Sequence, residues 1–185
     1  AVVQTNLTGG FLMARECLQQ WMRAHGGAIV NIVADMWGGM PGMGHSGAAR
    51  AGMVNFTETA AFEWAPYGVR VNAVAPGYVA SSGMDAYPAS MTESIRNIPA
   101  TVPLWRFGTE AEISAAVLYL LSEAATFVTG VTLRVDGGRP NTRLGKPMPR
   151  PASMPAPRAI APFNGFHLAR LPKVLQNEET PDARA

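Results

Sequence analysis

Residues 69–77, with the sequence VRVNAVAPG, decide the fold. The β-branched and small apolar residues at 69–75 form a run of the length of a buried strand, and Pro76-Gly77 ends it. Two further runs have the same character, AIVNIV at residues 28–33 and VTLRV at residues 131–135. Because short, largely apolar runs of this kind are typical of strands covered on both faces, the sequence predicts three strands of a buried parallel sheet.

Segments with helical periodicity separate these strands. Residues 2–24 and 45–65 repeat apolar side chains about one helical turn apart. Residues 110–122 open with an acidic first turn, which suits the dipole of a helix. A loop at residues 35–44 holds four glycines and a proline, and a later polar loop is predicted to contain a short helix near residues 91–97.

This alternation of strands and helices predicts the fold class. Strands joined by helices of this length pair in parallel through right-handed crossovers. We therefore expect an α/β fold, the C-terminal portion of a doubly wound, Rossmann-like parallel sheet. Three strands are few for this architecture, and the first would present an open edge. The chain is thus expected to lack the N-terminal, dinucleotide-binding half of such a sheet.

Charge is distributed unevenly along the chain. Residues 1–138 carry 7 Lys and Arg against 10 Asp and Glu, whereas residues 139–185 carry 8 against 3, together with nine of the 15 prolines. Proline removes backbone donors and favours extended conformations, so residues 139–185 are predicted to form a basic, mostly irregular extension to a partial domain at residues 1–138. The pI near 9.0 then belongs to this tail. Clustered cations with interleaved aromatics are missing, which argues against nucleic-acid binding.

Several other classes of protein are disfavoured. No apolar run approaches the roughly 20 residues of a membrane span, and the first residues lack the basic start and apolar stretch of a signal peptide. The single cysteine, Cys17, cannot form an internal disulfide or build a zinc cluster alone. We therefore expect a cytoplasmic protein without a metal site and without a membrane partner.

Four segments carry a resemblance to a known family. They are NLTGGF at residues 6–11, GAIVNI at 27–32, RVNAVAPG at 70–77 and VDGG at 135–138. In this order and at this spacing they resemble the second half of a short-chain dehydrogenase/reductase, over residues 1 to about 138. Within that family, residues 44–52 (GHSGAARAG) resemble the trans-2-enoyl-CoA reductase branch. The tail, including FNGFH at residues 163–167, is similar to bacterial members labelled citronellol dehydrogenase.

The resemblance implies hydride transfer between NAD or NADP and a carbonyl, an alcohol or an enoyl thioester. The family uses an asparagine, a serine, a tyrosine and a lysine, and their positions hold Asn6, Ala34, His45 and Ala49 in this chain. A methyl group cannot donate a hydrogen bond to a substrate oxygen, whereas an imidazole exchanges a proton near neutral pH. Asn6 and His45 are therefore the predicted catalytic residues. Asn6 as an ordinary surface residue and His45 as merely the start of a helix stay open as alternatives.

Arg50 lies next to the position of the lost lysine but is not expected to replace it. It lies about 140° around the helix from His45, whereas Ala49 lies only about 40° away. Arg50 is therefore predicted to point away from the site, towards a neighbouring subunit or solvent.

The exit of the second strand is predicted to meet the cofactor. Residues 76–81 (PGYVAS) resemble the family's segment against the nicotinamide, so Pro76, Gly77, Val79 and Ser81 are the predicted cofactor-binding residues. The backbone amide of Val79 and the hydroxyl of Ser81 would meet the carboxamide. An ordinary turn at the end of a strand is the alternative. The family's phosphate-binding turn is absent from this chain, because GMGHSG at residues 42–47 matches G-x-G-x-x-G by letter but follows no strand directly.

Apolar side chains flank the predicted site. Trp37, Met84 and Tyr87 are predicted to line a pocket for a small hydrophobic substrate, an acyl-CoA or a terpenoid alcohol or ketone. Burial in an ordinary core is the alternative for such residues.

Two functions follow from these observations. The first is an NAD(P)-dependent oxidoreductase that acts on a hydrophobic enoyl-CoA, ketone or alcohol. The alternative is a catalytically dead relative that serves as a binding or oligomerisation subunit. The resemblance also implies a homo-oligomer formed through helices 2–24 and 45–65. There, small residues would allow close helix approach: Ala48, Ala49, Ala51 and Gly52.

Overall fold

The computed structural model describes residues 1–139 and 172–175. Its five strands are β1 (Gly27–Ile32), β2 (Val69–Pro76), β3 (Val79–Ala80), β4 (Gly108–Thr109) and β5 (Thr132–Val135). Its α-helices are α1 (Gly10–Cys17), α2 (Arg23–His25), α3 (Gly44–Trp64), α4 (Thr92–Asn97) and α5 (Glu110–Leu121). A π-helical segment, Gln4–Gly9, precedes α1, and a second one, Leu18–Met22, lies between α1 and α2. The residues at their junctions keep right-handed helical backbone angles, so these pieces form one N-terminal helical segment.

The chain divides into two compact units. Unit 1 comprises Ala1–Gly77 and Ile113–Val135, and unit 2 comprises Tyr78–Glu112 and Asp136–Ala185. Most of the basic tail predicted at residues 139–185 lies outside the described residues, so the boundary predicted at residue 138 stays a prediction.

Unit 1 contains the predicted parallel sheet. Its strand order is β1-β2-β5, and Ile29 lies opposite Val71 while Val74 lies opposite Leu133. The three strands, their parallel pairing and the α/β class confirm the fold expected from the sequence. As also expected, the second edge of β1 has no partner strand within the described residues.

The core of unit 1 lies between the sheet and the helices of the chain's first 64 residues. One cluster of buried residues joins both helices to β2: Ala14, Leu18, Ala60, Ala61, Trp64, Val69 and Val71. Phe56 packs edge-on against Phe11 and Trp64, with ring centroids 5.3 and 5.7 Å apart. Aromatic pairs favour this geometry, so Phe56 stabilises the packing of α3 on the N-terminal helical segment.

Two glycines let these helices approach each other closely. A Cβ on Gly10 would lie 2.6 Å from Met53 Cε, and a Cβ on Gly52 would lie 2.9 Å from Leu7 Cδ2. Ala49 is fully buried. The small size of Gly52 and Ala49 therefore serves packing within this chain, which corrects the expectation that both are kept small for a partner subunit.

Two polar side chains of β2 fasten it to the segment before β5. Asn72 is fully buried, and its Nδ2 donates to the Val128 carbonyl (2.9 Å) while its Oδ1 accepts the Val131 amide (3.1 Å). Arg70 Nη1 donates to the Leu120 carbonyl at 2.8 Å. Buried polar groups are stable only when they are paired, so these residues of the RVNAVAPG segment act structurally.

Unit 2 contains a two-stranded parallel sheet that the sequence did not predict, in which Val79 of β3 lies opposite Gly108 of β4. Its core is a cluster of four buried residues: Ala80, Met84, Ile95 and Phe107. The short helix expected near residues 91–97 is present as α4. Among the described residues, no helix combines the length and apolar character that a membrane crossing requires.

Candidate active site

The carboxyl edge of the unit 1 sheet is where its parallel strands end. Beyond β1, the Val33 amide donates to the Val74 carbonyl (2.9 Å) and the Asp35 amide donates to the Pro76 carbonyl (3.1 Å). On the other side of β2, the Gly77 amide donates to the Val135 carbonyl (3.0 Å). The predicted residues Pro76 and Gly77 are therefore fixed at this edge. In open α/β sheets, ligands bind beyond the carboxyl ends of the strands.

Arg50 is turned towards this edge. Its Nη1 donates to the Ile32 carbonyl at 2.8 Å, at the end of β1. The prediction that Arg50 points to a neighbouring subunit or to solvent was wrong. A long helical side chain reaches back over the preceding turn, and the angle around the helix axis takes no account of that reach.

His45 is the second residue of α3 and is exposed. The helix begins at Gly44, and the Ser46 and Gly47 amides both donate to the Met43 carbonyl, at 2.9 and 3.0 Å. The first turn of α3 is thus closed by backbone bonds rather than by a side-chain cap. The imidazole is therefore accessible from solvent, and its catalytic role stays a prediction.

Asn6 lies in the π-helical segment Gln4–Gly9 and is partly exposed. π-helical turns are rare, and they occur frequently at functional sites because they shift side chains out of the regular helical register. The N-terminal helical segment also contains a second π-helical segment, Leu18–Met22, that carries none of the predicted site residues.

The positions of the family's serine and lysine carry no polar side chain. Ala34 is partly buried at the start of the loop that follows β1, and Ala49 is fully buried one turn after His45. The chain has two lysines. Lys173 belongs to unit 2, and Lys146 lies outside the described residues.

The predicted substrate residues fall in different units. Trp37 belongs to unit 1, where the Arg134 guanidinium lies 5.3 Å from the centre of its ring. Met84 and Tyr87 belong to unit 2, where both line one cavity of about 250 Å³. Met84 is 9% exposed and also belongs to the core cluster, whereas Tyr87 is 56% exposed. Met84 thus lines a cavity and also belongs to the core, and its contact with substrate stays a prediction.

The remaining predicted cofactor residues open unit 2. Val79 begins β3 and is partly buried. Ser81 follows β3 with an extended backbone and is also partly buried, and its carbonyl accepts the Met84 amide at 3.0 Å. Ser81 thus lies in the extended segment directly after β3 and not in a helix.

Arg106 and Glu112 form an ion pair in unit 2. Arg106 Nη1 donates to Glu112 Oε2 at 2.9 Å, and the same oxygen accepts the Thr109 amide at 2.8 Å. The hydrogen bond from Arg106 lowers the pKa of the Glu112 carboxyl, and the same bond raises the pKa of Arg106. Thr109 and Glu112 form a capping box at the start of α5, because Thr109 Oγ1 also accepts the Glu112 amide (3.2 Å). The sequence carries this signal as Thr109-Glu110-Ala111-Glu112.

Sequence reasoning missed two charged residues of the unit 2 cavity, Arg96 and Lys173. They are far apart in the sequence, and no periodicity or motif connects them. No group of three or more His, Cys, Asp or Glu side chains within residues 1–139 and 172–175 is placed to hold a metal ion.

Comparison with known proteins covers the same part of the chain. The model of a family described as enoyl-(acyl carrier protein) reductase matches residues 1–139. Nodulation protein G of Rhizobium meliloti is 38% identical over 138 residues, which are 74% of this chain and 55% of that protein. The 3-oxoacyl-(acyl-carrier-protein) reductase FabG of Staphylococcus aureus is 37% identical over the same shares. The chain thus spans about half the length of the curated relatives it matches.

Solved structures give the same result. The citronellol catabolism dehydrogenase AtuB of Pseudomonas aeruginosa PAO1 is 56% identical with a TM-score of 0.64, over 75% of this chain and 53% of that one. A gluconate 5-dehydrogenase of Burkholderia cenocepacia J2315, in complex with NADP and tartrate, is 28% identical with a TM-score of 0.66, over 75% and 54% of the two chains. With its parallel sheet, its four sequence segments and these matches, the chain belongs to the short-chain dehydrogenase/reductase family.

Proposed function

We propose that this chain is the C-terminal part of an NAD(P)-dependent oxidoreductase that transfers hydride to or from a hydrophobic enoyl-CoA, ketone or alcohol. The observation that carries the proposal is family membership over residues 1–139, among relatives named as reductases and dehydrogenases. One of the similar structures is a complex with NADP. Of the predicted site residues of unit 1, Pro76 and Gly77 lie at the carboxyl edge of the sheet, where such folds bind ligands.

The residues of this chain suit the nicotinamide end of the cofactor. The Val79 amide and the Ser81 hydroxyl are the proposed partners of the carboxamide, next in sequence to the fixed pair Pro76 and Gly77. When bound, the cofactor supplies or accepts the hydride. The protein's part is to orient the nicotinamide against the substrate and to handle the proton.

The described residues do not suit the pyrophosphate end. A pyrophosphate needs a helix N-terminus that follows a strand through a glycine turn and carries no negative charge. α5 follows β4 directly but opens with Glu110 and Glu112, and residues 33–43 separate β1 from α3. The proposal therefore assigns the phosphates to a part of the protein outside the described residues.

Proton handling is proposed for His45 and Asn6. With Ala34 and Ala49 in place of a serine and a lysine, nothing at those two positions polarises a carbonyl or lowers the pKa of an acid. Reduction of an enoyl thioester asks less of the protein, because hydride goes to carbon and the thioester carbonyl stabilises the enolate. His45 would then supply the proton for the neighbouring carbon, and we propose an enoyl-CoA as the preferred substrate class.

The same two alanines favour the alternative, a relative without activity that assembles with other subunits. Exposed apolar side chains on the N-terminal helical segment and on α3 support an interface there: Phe11, Met13, Trp21 and Phe62, of which Phe62 is 85% exposed. We propose that the protein forms a homo-oligomer through these helices, whether or not it is active, and that it works in the cytoplasm.

The test uses the protein at the length of its relatives, with His45→Ala compared to His25→Ala. His25 is also exposed, but it stacks on Trp21 and lies just before the amino end of β1, not at the carboxyl ends of the strands. It therefore gives a matched control. We expect His45→Ala to lower kcat for NADPH-dependent reduction of 2-decenoyl-CoA by about 100-fold or more, the usual contribution of a general acid, and His25→Ala to change it less than twofold. Equal effects would remove His45 from the mechanism. Failure to turn over any enoyl-CoA, ketone or alcohol, with oligomer formation retained, would support the inactive alternative.

A further inference from the structure

Four residues of the C-terminal tail pack against unit 2. The Lys173 amide donates to Asp85 Oδ1 at 2.8 Å, and Arg96 Nε donates to the Val174 carbonyl at 2.8 Å. The Leu175 amide donates to the Pro172 carbonyl at 2.9 Å, which closes the four residues into a turn. We call Pro172–Leu175 the clasp. Both of its outward hydrogen bonds involve an ionised side chain, and such bonds are stronger than neutral ones.

The clasp also makes apolar contacts with unit 2. The Pro172 side chain is fully buried, and Val174 and Leu175 pack against the core cluster of unit 2 that contains Met84 and Ile95. The clasp therefore completes the core of unit 2, although Pro172 lies 75 positions after Asn97, the last residue of the helix it covers. Two of its residues, Lys173 and Val174, line the same cavity as Met84.

The cavity of about 250 Å³ lies where the clasp meets residues 84–96. Its wall is mostly apolar and includes side chains from both segments: Met84, Tyr87, Pro88, Ala89, Ile95 and Val174. Pockets that enclose drug-sized ligands measure about 300–1,000 Å³. This cavity is therefore suited to a short hydrocarbon chain rather than to a whole cofactor.

The wall of the cavity also contains charged residues. Arg96 and Lys173 are cations, and Asp85 is the one acidic residue of the wall as described. The Asp85 carboxylate already accepts the Lys173 amide. Thr92 adds a hydroxyl. Apolar surface with cations and a hydroxyl at its margin is the chemistry that binds the anionic end of an apolar molecule.

We propose that this cavity binds a short apolar chain that carries an anionic group, such as a carboxylate, and that the clasp builds the site by supplying Lys173 and Val174. The site deepens the proposed function by naming a chemical group of the ligand, and it rests on that function only for identifying the ligand as a substrate. Because Lys173 belongs to the tail, the preference for an anion depends on a segment beyond the part of the chain that the family model matches.

Binding to the full 185-residue chain, without cofactor, tests the proposal. The probes are decanoate and decanol, which share a hydrocarbon chain and differ in charge, and the method is isothermal titration at low ionic strength with folding checked by circular dichroism. We expect decanoate to bind about fivefold more tightly than decanol, the effect of one favourable, partly exposed charge contact. Equal affinities, or binding of neither probe, would overturn the proposal.

Two variants separate the contributions of charge and apolar surface. Lys173→Met keeps the backbone amide and most of the side-chain volume, so it should abolish the preference for decanoate and leave decanol affinity within about twofold. Tyr87→Ala should weaken both probes equally, and Arg15→Met, an exposed cation in unit 1, should change neither. A preference that survives Lys173→Met would contradict the assignment. Because the readout needs no turnover, a protein that fails as an oxidoreductase can still pass this test, and the reverse also holds.

Discussion

The two units of this chain are stabilised by different interactions. In unit 1 the central strand β2 is buried along residues 69–75 except for Arg70, and its buried amide Asn72 is paired with backbone groups. In unit 2 the strands have two residues each. The Arg106–Glu112 ion pair and the hydrogen bond from the clasp to Asp85 add contacts between its segments. Around β2, unit 1 is held by apolar packing and by hydrogen bonds of Asn72 and Arg70 that involve no acidic side chain, whereas unit 2 uses the carboxylates of Glu112 and Asp85. Unit 2 should therefore be the part that responds to pH.

The largest expected effect is in the core of unit 1. Trp64 is 7% exposed and packs with Val69 and Val71. Trp64→Ala should lower the free energy of unfolding by about 3–5 kcal/mol, because it leaves a large cavity against β2. Urea titration followed by circular dichroism measures this. Phe127→Ala, an exposed aromatic of unit 1, is the control and should cost less than about 0.5 kcal/mol. Equal costs would contradict the account of the core.

Removal of Asn72 should have the second largest effect. Asn72→Ala leaves the Val128 carbonyl and the Val131 amide without their side-chain partner, so we expect a cost of about 2–3 kcal/mol. Asn97→Ala, at an exposed position of α4, is the matched control and should cost little. Because no titrating group takes part, the cost of Asn72→Ala should be the same at pH 7 and pH 4. A cost that changed between these values would break the contrast between the units.

The ion pair of unit 2 predicts a smaller effect that depends on pH. The pKa of the Glu112 carboxyl is lowered from its ordinary value near 4.5, so its contribution to stability is present above that value and is lost as the pH falls below it. Glu112→Gln should cost about 1 kcal/mol at pH 7, since the pair is partly exposed, and progressively less as the pH falls below 4.5. Glu110→Gln, on the same first turn of α5, is the control. A cost that persists unchanged at pH 3 would show that the carboxylate charge is not what matters.

The fold of unit 1 could be predicted because its signals are local. The three strand runs and the helical periodicity of residues 45–65 stand directly in the sequence, and the structure places β1, β2, β5 and α3 within one residue of the expected ends. Strands β3 and β4 were missed because two residues carry no periodic pattern. The role of Asn72 was also missed, although a polar residue inside an apolar strand is a usable signal that it must be paired.

The candidate site was less predictable, because its parts are brought together by tertiary structure. The predicted direction of the Arg50 side chain was wrong, because this long side chain reaches the Ile32 carbonyl whatever its angle from His45 around the helix. The contribution of Lys173 to the unit 2 cavity depends on the tail folding back, which composition alone does not indicate. The roles of His45, Asn6, Val79 and Ser81 remain proposals that the experiments above test.

The central proposal is that this chain supplies the nicotinamide end of a cofactor site and not the phosphate end. Titration of NADH and NADPH into the folded 185-residue chain tests it most directly, with a full-length member of the family as the positive control. We expect no binding in the micromolar range for either cofactor, because no described helix with an uncharged first turn follows a strand directly through a glycine turn: α5 opens with two glutamates, and residues 33–43 separate α3 from β1. Micromolar affinity of this chain for either cofactor would contradict it.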